Sequence, residues 1–238
     1  RAEAVWPGAR ALEAPAAVAD SVTLSTMHGC PPDEIERIAR FLLEERGLHT
    51  TVKLNPTLLG PETVRHVLND ALGWDVDVPD DAFAGDPDWH AAVDLVRSLG
   101  DIAARCGRAF AVKLTNTLAC RNRRGMLPDA SPMVYLSGRA LHPLSVLAAA
   151  RLRRALGDQL DISFAGGADA RNVVPLVASG LAPVTVCSDL LRPGGYQRLR
   201  QYLENLEAAL LGAGARDLDA LSVRLAGDPS RTPATAAA

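Results

Sequence analysis

Two lysines lie in near-repeated surroundings, Val52-Lys53-Leu54-Asn55-Pro56-Thr57-Leu58 and Val112-Lys113-Leu114-Thr115-Asn116-Thr117-Leu118. Each ammonium sits between aliphatic neighbours, where burial of an unpaired charge is costly. An anion or an electron-rich ring is the expected partner of at least one, unless each is paired within the fold or snorkels to a rim. A buried lysine with a lowered pKa is also a Schiff-base nucleophile, the chemistry of aldolases acting on phosphorylated substrates. A second run, Phe164-Ala165-Gly166-Gly167-Ala168-Asp169, is followed by Val186-Cys187-Ser188-Asp189. Glycines let a backbone come close to a phosphate, and N–H groups at a helix start point at the anion. Gly166 and Gly167 read either as such a cradle or as a tight turn alone; Ser188 and the pair Gly194-Gly195 favour the cradle. A third run, Ser25-Thr26-Met27-His28-Gly29-Cys30, holds a thiol just before a helix start, where its pKa can fall. Thr26 and Cys30 are candidates for proton transfer, while a small buried or capping cysteine and a structural His28 are the plainer readings.

These runs need elements to position them. After Asp20 short β-branched apolar stretches alternate with longer amphipathic ones, the pattern of βα units around a parallel sheet. Strands are expected at Val22–Thr26, Thr51–Asn55, Trp74–Val78, Ala109–Thr115, Met133–Leu136, Asp161–Ala165 and Val184–Cys187. Helices are expected after Pro31, over Glu62–Leu72, Pro87–Cys106, from about Pro143, over Arg171–Ser179 and over Tyr196–Leu211. The fold class is α/β, a (β/α)8 TIM-barrel type with about six or seven of the eight strands, the N-terminal ones missing. Loops after the last two strands of such barrels commonly hold phosphate, which places Gly166, Gly167 and Ser188 together. In a flavin site a strand lysine steadies negative charge on the reduced ring, and Asn or Thr side chains bond its edge. The polar stretch Cys120–Pro132, with Arg121, Arg123, Arg124 and Gly125, is long enough to be a lid. The chain divides into an irregular segment 1–20, a barrel segment 21–211 and a mobile tail 212–238.

The 238 residues are 48% hydrophobic, enough for one sizeable core. Twenty-five basic residues against 28 acidic give no field that would draw nucleic acid or an anionic membrane. Cys30, Cys106, Cys120 and Cys187 are scattered without a C-x-x-C pair, so no zinc or iron–sulfur motif is encoded and no metal site is expected. No apolar run approaches the ~20 residues of a membrane span. No secretory signal opens the chain, and a cytoplasmic location is the expectation. Because residue 1 is Arg, the protein is expected to begin upstream. Missing early strands would leave an unpaired sheet edge, so self-association or an upstream barrel segment is expected to cover it.

The linked motifs Thr23–Leu59 (TLSTMHGCPPDEIERIARFLLEERGLHTTVKLNPTLL), VKLTNTL, YLSGRALHPLS and GGADARN through DLLRPGGY resemble the selenate reductase subunit group. Those large bacterial proteins look like fusions of a flavin barrel with an electron-transfer region like the small subunit of glutamate synthase. The likeness covers about Ser21 to Leu203. More distantly, the barrel is similar to the dihydropyrimidine and dihydroorotate dehydrogenases. That resemblance implies an FMN-dependent oxidoreductase component acting on a small-molecule substrate. It implies Lys53, or its rival Lys113, at the flavin, Asn116 and Thr117 at the flavin or substrate edge, and Gly138 beside the ring. It further implies Gly166 and Gly167 at the phosphate, with Cys187 and Ser188 after the last strand. In those dehydrogenases an active-site Cys directly follows the Ser of the strand-end motif; here that position is Thr26, with Cys30 four residues on. Iron–sulfur clusters, FAD and NADPH would belong to other segments or partner chains. A truncated barrel serving only as an assembly module is the non-enzymatic alternative.

Overall fold

The computed structural model describes residues 6, 8, 17–26, 28–123, 131–157 and 159–226. Strand β1 (Ser21–Ser25) turns into helix α1 (Pro32–Arg40), which continues as a wider turn over Phe41–Glu45. The helix starts there because Pro32 lacks the N–H that would be unpaired, and Asp33 and Glu34 favour the positive end of the helix dipole. Strand β2 (His49–Leu54) leads through the buried turn Pro56–Leu59 into α2 (Pro61–Arg65), extended over His66–Ala71. Helix α3 (Trp89–Arg105) is capped by Asp88, which accepts from the Ala91 N–H at 2.9 Å. Strands β3 (Phe110–Leu114), β4 (Leu118–Arg121) and β5 (Met133–Leu136) precede α4 (His142–Leu156), β6 (Asp161–Phe164) and α5 (Val173–Ala178). Helices α6 (Arg198–Ala213) and α7 (Leu218–Leu225) end the described chain.

Strands β1, β2, β3 and β6 lie side by side in that order, all parallel. Val184 adds a single parallel bridge to Phe164 at the β6 edge. One face of the sheet, with Val52, Leu54, Val112, Leu114, Ile162 and Phe164, joins α1, α3 and α4 in a single core. Its other face presents Thr51, Lys53, Ala111 and Lys113, all half-buried. Side chains alternate across a strand, so the repeated Val-Lys-Leu sends both lysines away from the helices.

Several expectations change. Trp74–Val78 is not a strand: the Trp74 N–H bonds to Leu68 O at 2.9 Å and the Asn69 amide to Val76 O at 2.8 Å, so its backbone serves the end of the preceding helix. Met133–Leu136 is a strand, but it pairs antiparallel with Leu118–Arg121 in a separate ribbon. Thus the described residues carry four parallel strands and one further bridge rather than six or seven. Part of the expected mobile tail is ordered: Asp217 caps α7 and Leu221 is fully buried. Residues 227–238 and most of segment 1–20 lie outside the described residues.

Candidate functional site

At the C-terminal ends of the strands the turns enclose a cavity of about 480 Å³. Its walls are Lys53 from β2, Thr115 and Thr117 after β3, Ser137–Leu141 after β5, Gly167 and Ala168 after β6, and Thr185 with Cys187–Asp189 and Arg192. The turns touch through glycine. A Cβ on Gly138, where φ is +62°, would stand 2.9 Å from the Ser188 Cβ. A Cβ on Gly167, where φ is +71°, would overlap the Gly138 carbonyl. The Gly-Gly turn and the Cys-Ser turn therefore belong to one structure, with Gly138 between them, and no side chain but glycine's allows that approach. Gly166 differs from its neighbour. It is buried, does not line the cavity, and a Cβ there would overlap the Ser145 side chain of α4, so its missing side chain makes room for that helix.

Lys53 and Lys113 are register partners on β2 and β3. Burial pushes the Lys53 ammonium below the usual lysine range, and the Lys113 charge pushes the same way against a smaller opposing effect of Cys187. Burial lowers Lys113 as well. Neither has an acidic partner among the described residues. Only Lys53 lines the cavity; Lys113 stands beside it.

Asn116 does not face the cavity. It is buried, and its amide donates to Asn55 Oδ1 at 2.9 Å, Thr26 O at 3.0 Å and Lys53 O at 3.2 Å, while Ser25 Oγ donates to its Oδ1 at 3.0 Å. It ties together the ends of three strands. The Thr26 hydroxyl is likewise committed, donating to Lys53 O at 2.9 Å. Burial, then Glu34, Asp86 and Asp33, push the Cys30 thiol up, which opposes an activated thiolate. Thr117, Gly138, Cys187 and Ser188 all line the cavity.

Sequence reasoning missed Asp86. Its side chain is 1% exposed and accepts from Gly29 N at 2.6 Å, Thr57 Oγ1 at 2.6 Å and Asn55 Nδ2 at 3.0 Å. Burial alone would raise its pKa, yet the nearby His28 ring and hydrogen bonds from Thr57, Gly29 and Asn55 hold the carboxyl below its ordinary range. His28 Nδ1 stands 3.6 Å from Asp86 and the ring stacks on Tyr135 at 5.9 Å between centroids. That links the β1 turn to the β4–β5 ribbon. Arg139 and Arg192 on the cavity wall were also missed: both lie in the quoted motifs, but nothing in their spacing singles them out from the residues around them. The expected arginine lid is different: Arg121 and Arg123 turn to Asp77 at 3.6 and 3.1 Å, and Arg124 and Gly125, like Met27, lie outside the described residues.

Residues 8–227 match the family described as "Oxidoreductase YgfK, N-terminal TIM-barrel domain". Two curated relatives, both named "Putative oxidoreductase YgfK", come from Escherichia coli strains K12 and O157:H7. Each is 44% identical over 219 residues, 90% of this chain, and the chain spans only 20% of the length of either. Among solved structures, dihydroorotate dehydrogenase (DHODH) of Eimeria tenella in complex with ferulenol is similar with a TM-score of 0.51 at 16% identity, over 86% of this chain and 54% of that one. The fold is of the TIM-barrel type.

Proposed function

The chain belongs to the oxidoreductase YgfK N-terminal TIM-barrel domain family, and we propose that it supplies the phosphate-holding side of an FMN site in a flavin-dependent oxidoreductase. The observation that carries this reading is the contact chain Gly167–Gly138–Ser188 beside Lys53 around a single cavity. Its volume falls in the range of small-ligand pockets, ~300–1,000 Å³. The residues fit the group: two ammonium groups without acidic partners among the described residues call for an anionic occupant, and Thr117, Thr185 and Ser188 bring hydroxyl-bearing side chains to the same space.

In this reading Gly138 and Gly167 bring backbone close to the phosphate, and Ser188 and Thr185 offer hydroxyl groups to it. Lys53 faces the flavin ring, Thr117 its edge, and Lys113 adds positive potential from the next strand. Cys187 stands beside Lys53, and Asn116 holds the strand ends that carry the lysine. Gly166 keeps α4 against the turn. Proton transfer falls to the β1 turn, where the Cys30 thiol stays protonated, as a donor must, and Thr26 fixes the strand end. Bound FMN would supply two-electron exchange with a small-molecule substrate.

The rest of the electron path, including iron–sulfur, FAD and NADPH sites, is carried by other segments or chains in this proposal. That division accords with relatives about five times the length of this chain and with the sequence likeness to selenate reductase subunits. The edge of β1, unpaired among the described residues, is the place where a further barrel segment, or a second copy, adds a strand. We place the reaction in the cytoplasm; no helix among the described residues is long and apolar enough to cross a membrane. Purification of this chain and of a longer polypeptide containing it, followed by denaturation and absorbance of the released flavin, tests the reading. Flavin in the longer form is expected, and its absence from both forms overturns the proposal.

The lowered lysines favour one other reading. A strand amine that loses its proton easily suits Schiff-base chemistry on a phosphorylated carbonyl substrate. Borohydride trapping of a candidate aldehyde or ketone phosphate on Lys53 or Lys113 distinguishes it.

A further inference from the structure

The cavity wall carries more charge than the glycine turns alone would need, and the ion pairs around it decide how much is free. Asp189 lines the cavity, but it is buried and its oxygens are occupied. Arg198 donates Nε to Oδ2 at 2.9 Å and Nη2 to Oδ1 at 3.0 Å, and the Tyr202 hydroxyl donates to Oδ2 at 2.7 Å. Arg139 lines the cavity as well, yet its Nε is paired with the buried carboxylate of Asp169. Each buried acid thus neutralises one arginine. What remains uncompensated on the wall, among the described residues, is Lys53 and Arg192.

Arg192 has no side-chain partner among the described residues, although its backbone is held at both ends. Its N–H bonds to Asp189 O at 3.3 Å, and its own carbonyl accepts from Gly195 N at 3.0 Å. The Asp189–Arg198 pair therefore fixes the turn from which Arg192 reaches the cavity, and Arg198 also donates to Pro193 O at 3.4 Å. An exposed guanidinium on a fixed turn at a cavity, with no acid among the described residues to satisfy it, suits an external anion with two or more oxygens.

We infer that Arg192 is a specificity-determining residue: it reads the charge of a phosphomonoester and separates FMN from the uncharged end of riboflavin. This inference rests on the FMN reading and deepens it. A phosphomonoester carries about −1.5 to −2 charge at pH 7, so the discrimination it earns from one exposed arginine is about tenfold and weakens with salt. Asp169 and Asp189 act through others as positioning residues. By occupying Arg139 and Arg198, they keep the site from taking a more highly charged anion.

The test is titration of a flavin-stripped longer polypeptide containing this chain with FMN and with riboflavin, followed by quenching of flavin fluorescence at low and high salt. Four forms are compared: unaltered, Arg192→Gln, Arg192→Lys, and Arg200→Gln as a control on the exposed face of α6. Arg192 is exposed, so Arg192→Gln is expected to keep its circular dichroism and melting temperature. The expected result is about tenfold weaker FMN binding in Arg192→Gln, unchanged riboflavin binding, partial recovery in Arg192→Lys, no change in Arg200→Gln, and a smaller effect at high salt. If Arg192→Gln binds FMN as tightly as the unaltered chain, or loses FMN and riboflavin affinity equally, the inference fails and the FMN reading survives. If the unaltered longer polypeptide binds neither flavin, or binds both equally, the reading of the cavity as an FMN phosphate site falls and the inference with it.

Discussion

Lys53 and Lys113 stand side by side in register on adjacent parallel strands, both on the sheet face turned away from the helices and neither paired with an acid among the described residues. Like charges so placed repel in the empty protein. They become favourable once an anion or an electron-rich ring arrives, so the pair trades stability for binding.

That trade has a pH signature. Burial lowers both lysines below their unfolded value of 10.5, so between the folded and unfolded pKa values the unfolded chain holds more protons and stability increases with pH. The penalty is fully present below the lowered pKa and is relieved as pH rises through it toward 10.5. Denaturant unfolding of the ligand-free chain from pH 7 upward should show this gain, and Lys53→Met should raise stability at pH 7 and flatten the dependence. The same substitution should abolish flavin binding, with Lys113→Met weakening it less.

Asp86 is the hub under the β1 turn. Asp86→Asn leaves the shape but removes an acceptor from a buried site, an expected loss of about 1–3 kcal/mol by denaturant unfolding. Because its carboxyl is held below the ordinary range, its contribution is present above the unfolded carboxylate pKa and fades as pH falls through the folded one. Asp86→Asn should therefore be less sensitive to acid than the unaltered chain.

The two adjacent glycines should behave differently. Gly167→Ala forces a Cβ into the Gly138 carbonyl at positive φ, and Gly166→Ala forces one into Ser145. Both should cost about 1–3 kcal/mol. Pairing Ser145→Gly with Gly166→Ala should recover part of the loss, while no side-chain change relieves Gly167→Ala, because its obstacle is backbone. Thermal melts of the three variants decide this.

Tyr202→Phe removes the hydroxyl that donates to Asp189 at 2.7 Å. A buried carboxylate then loses one of its donors, with an expected loss of about 1–3 kcal/mol and a loosened Ser188–Arg192 turn, read as faster amide exchange at Ser188 and Leu190. Unchanged stability and exchange would remove Asp189 from its positioning role.

Much of this site could be read in the sequence, and the limits have physical causes. The repeated Val-Lys-Leu gave both lysines a strand and therefore a shared face, since strand periodicity leaves one choice. The Gly-Gly and Cys-Ser turns were readable as neighbours because consecutive βα units lie side by side in space. Which of Gly166 and Gly167 meets the cavity was not readable, because it depends on the placement of Ser145 and Gly138 from other units. Asp86 falls in no quoted motif, and the motifs that hold Arg139 and Arg192 do not say which arginine is free; each matters through contacts made across 25 residues or more or through the pairing state of its neighbours. Trp74–Val78 looks like a strand because alternating apolar residues also suit an extended segment, and only its hydrogen-bond partners tell the two apart. Asn116 shows the same limit, since an amide at a strand end serves a ligand or the strand ends equally well by type.

The most direct measurement is a crystal structure of the chain, or of a longer polypeptide containing it, grown with FMN. The phosphate is expected against the Gly138, Gly167 and Ser188 turns with the flavin ring toward Lys53. A flavin bound elsewhere, or a cavity closed by protein side chains while flavin occupies another site, would contradict the account.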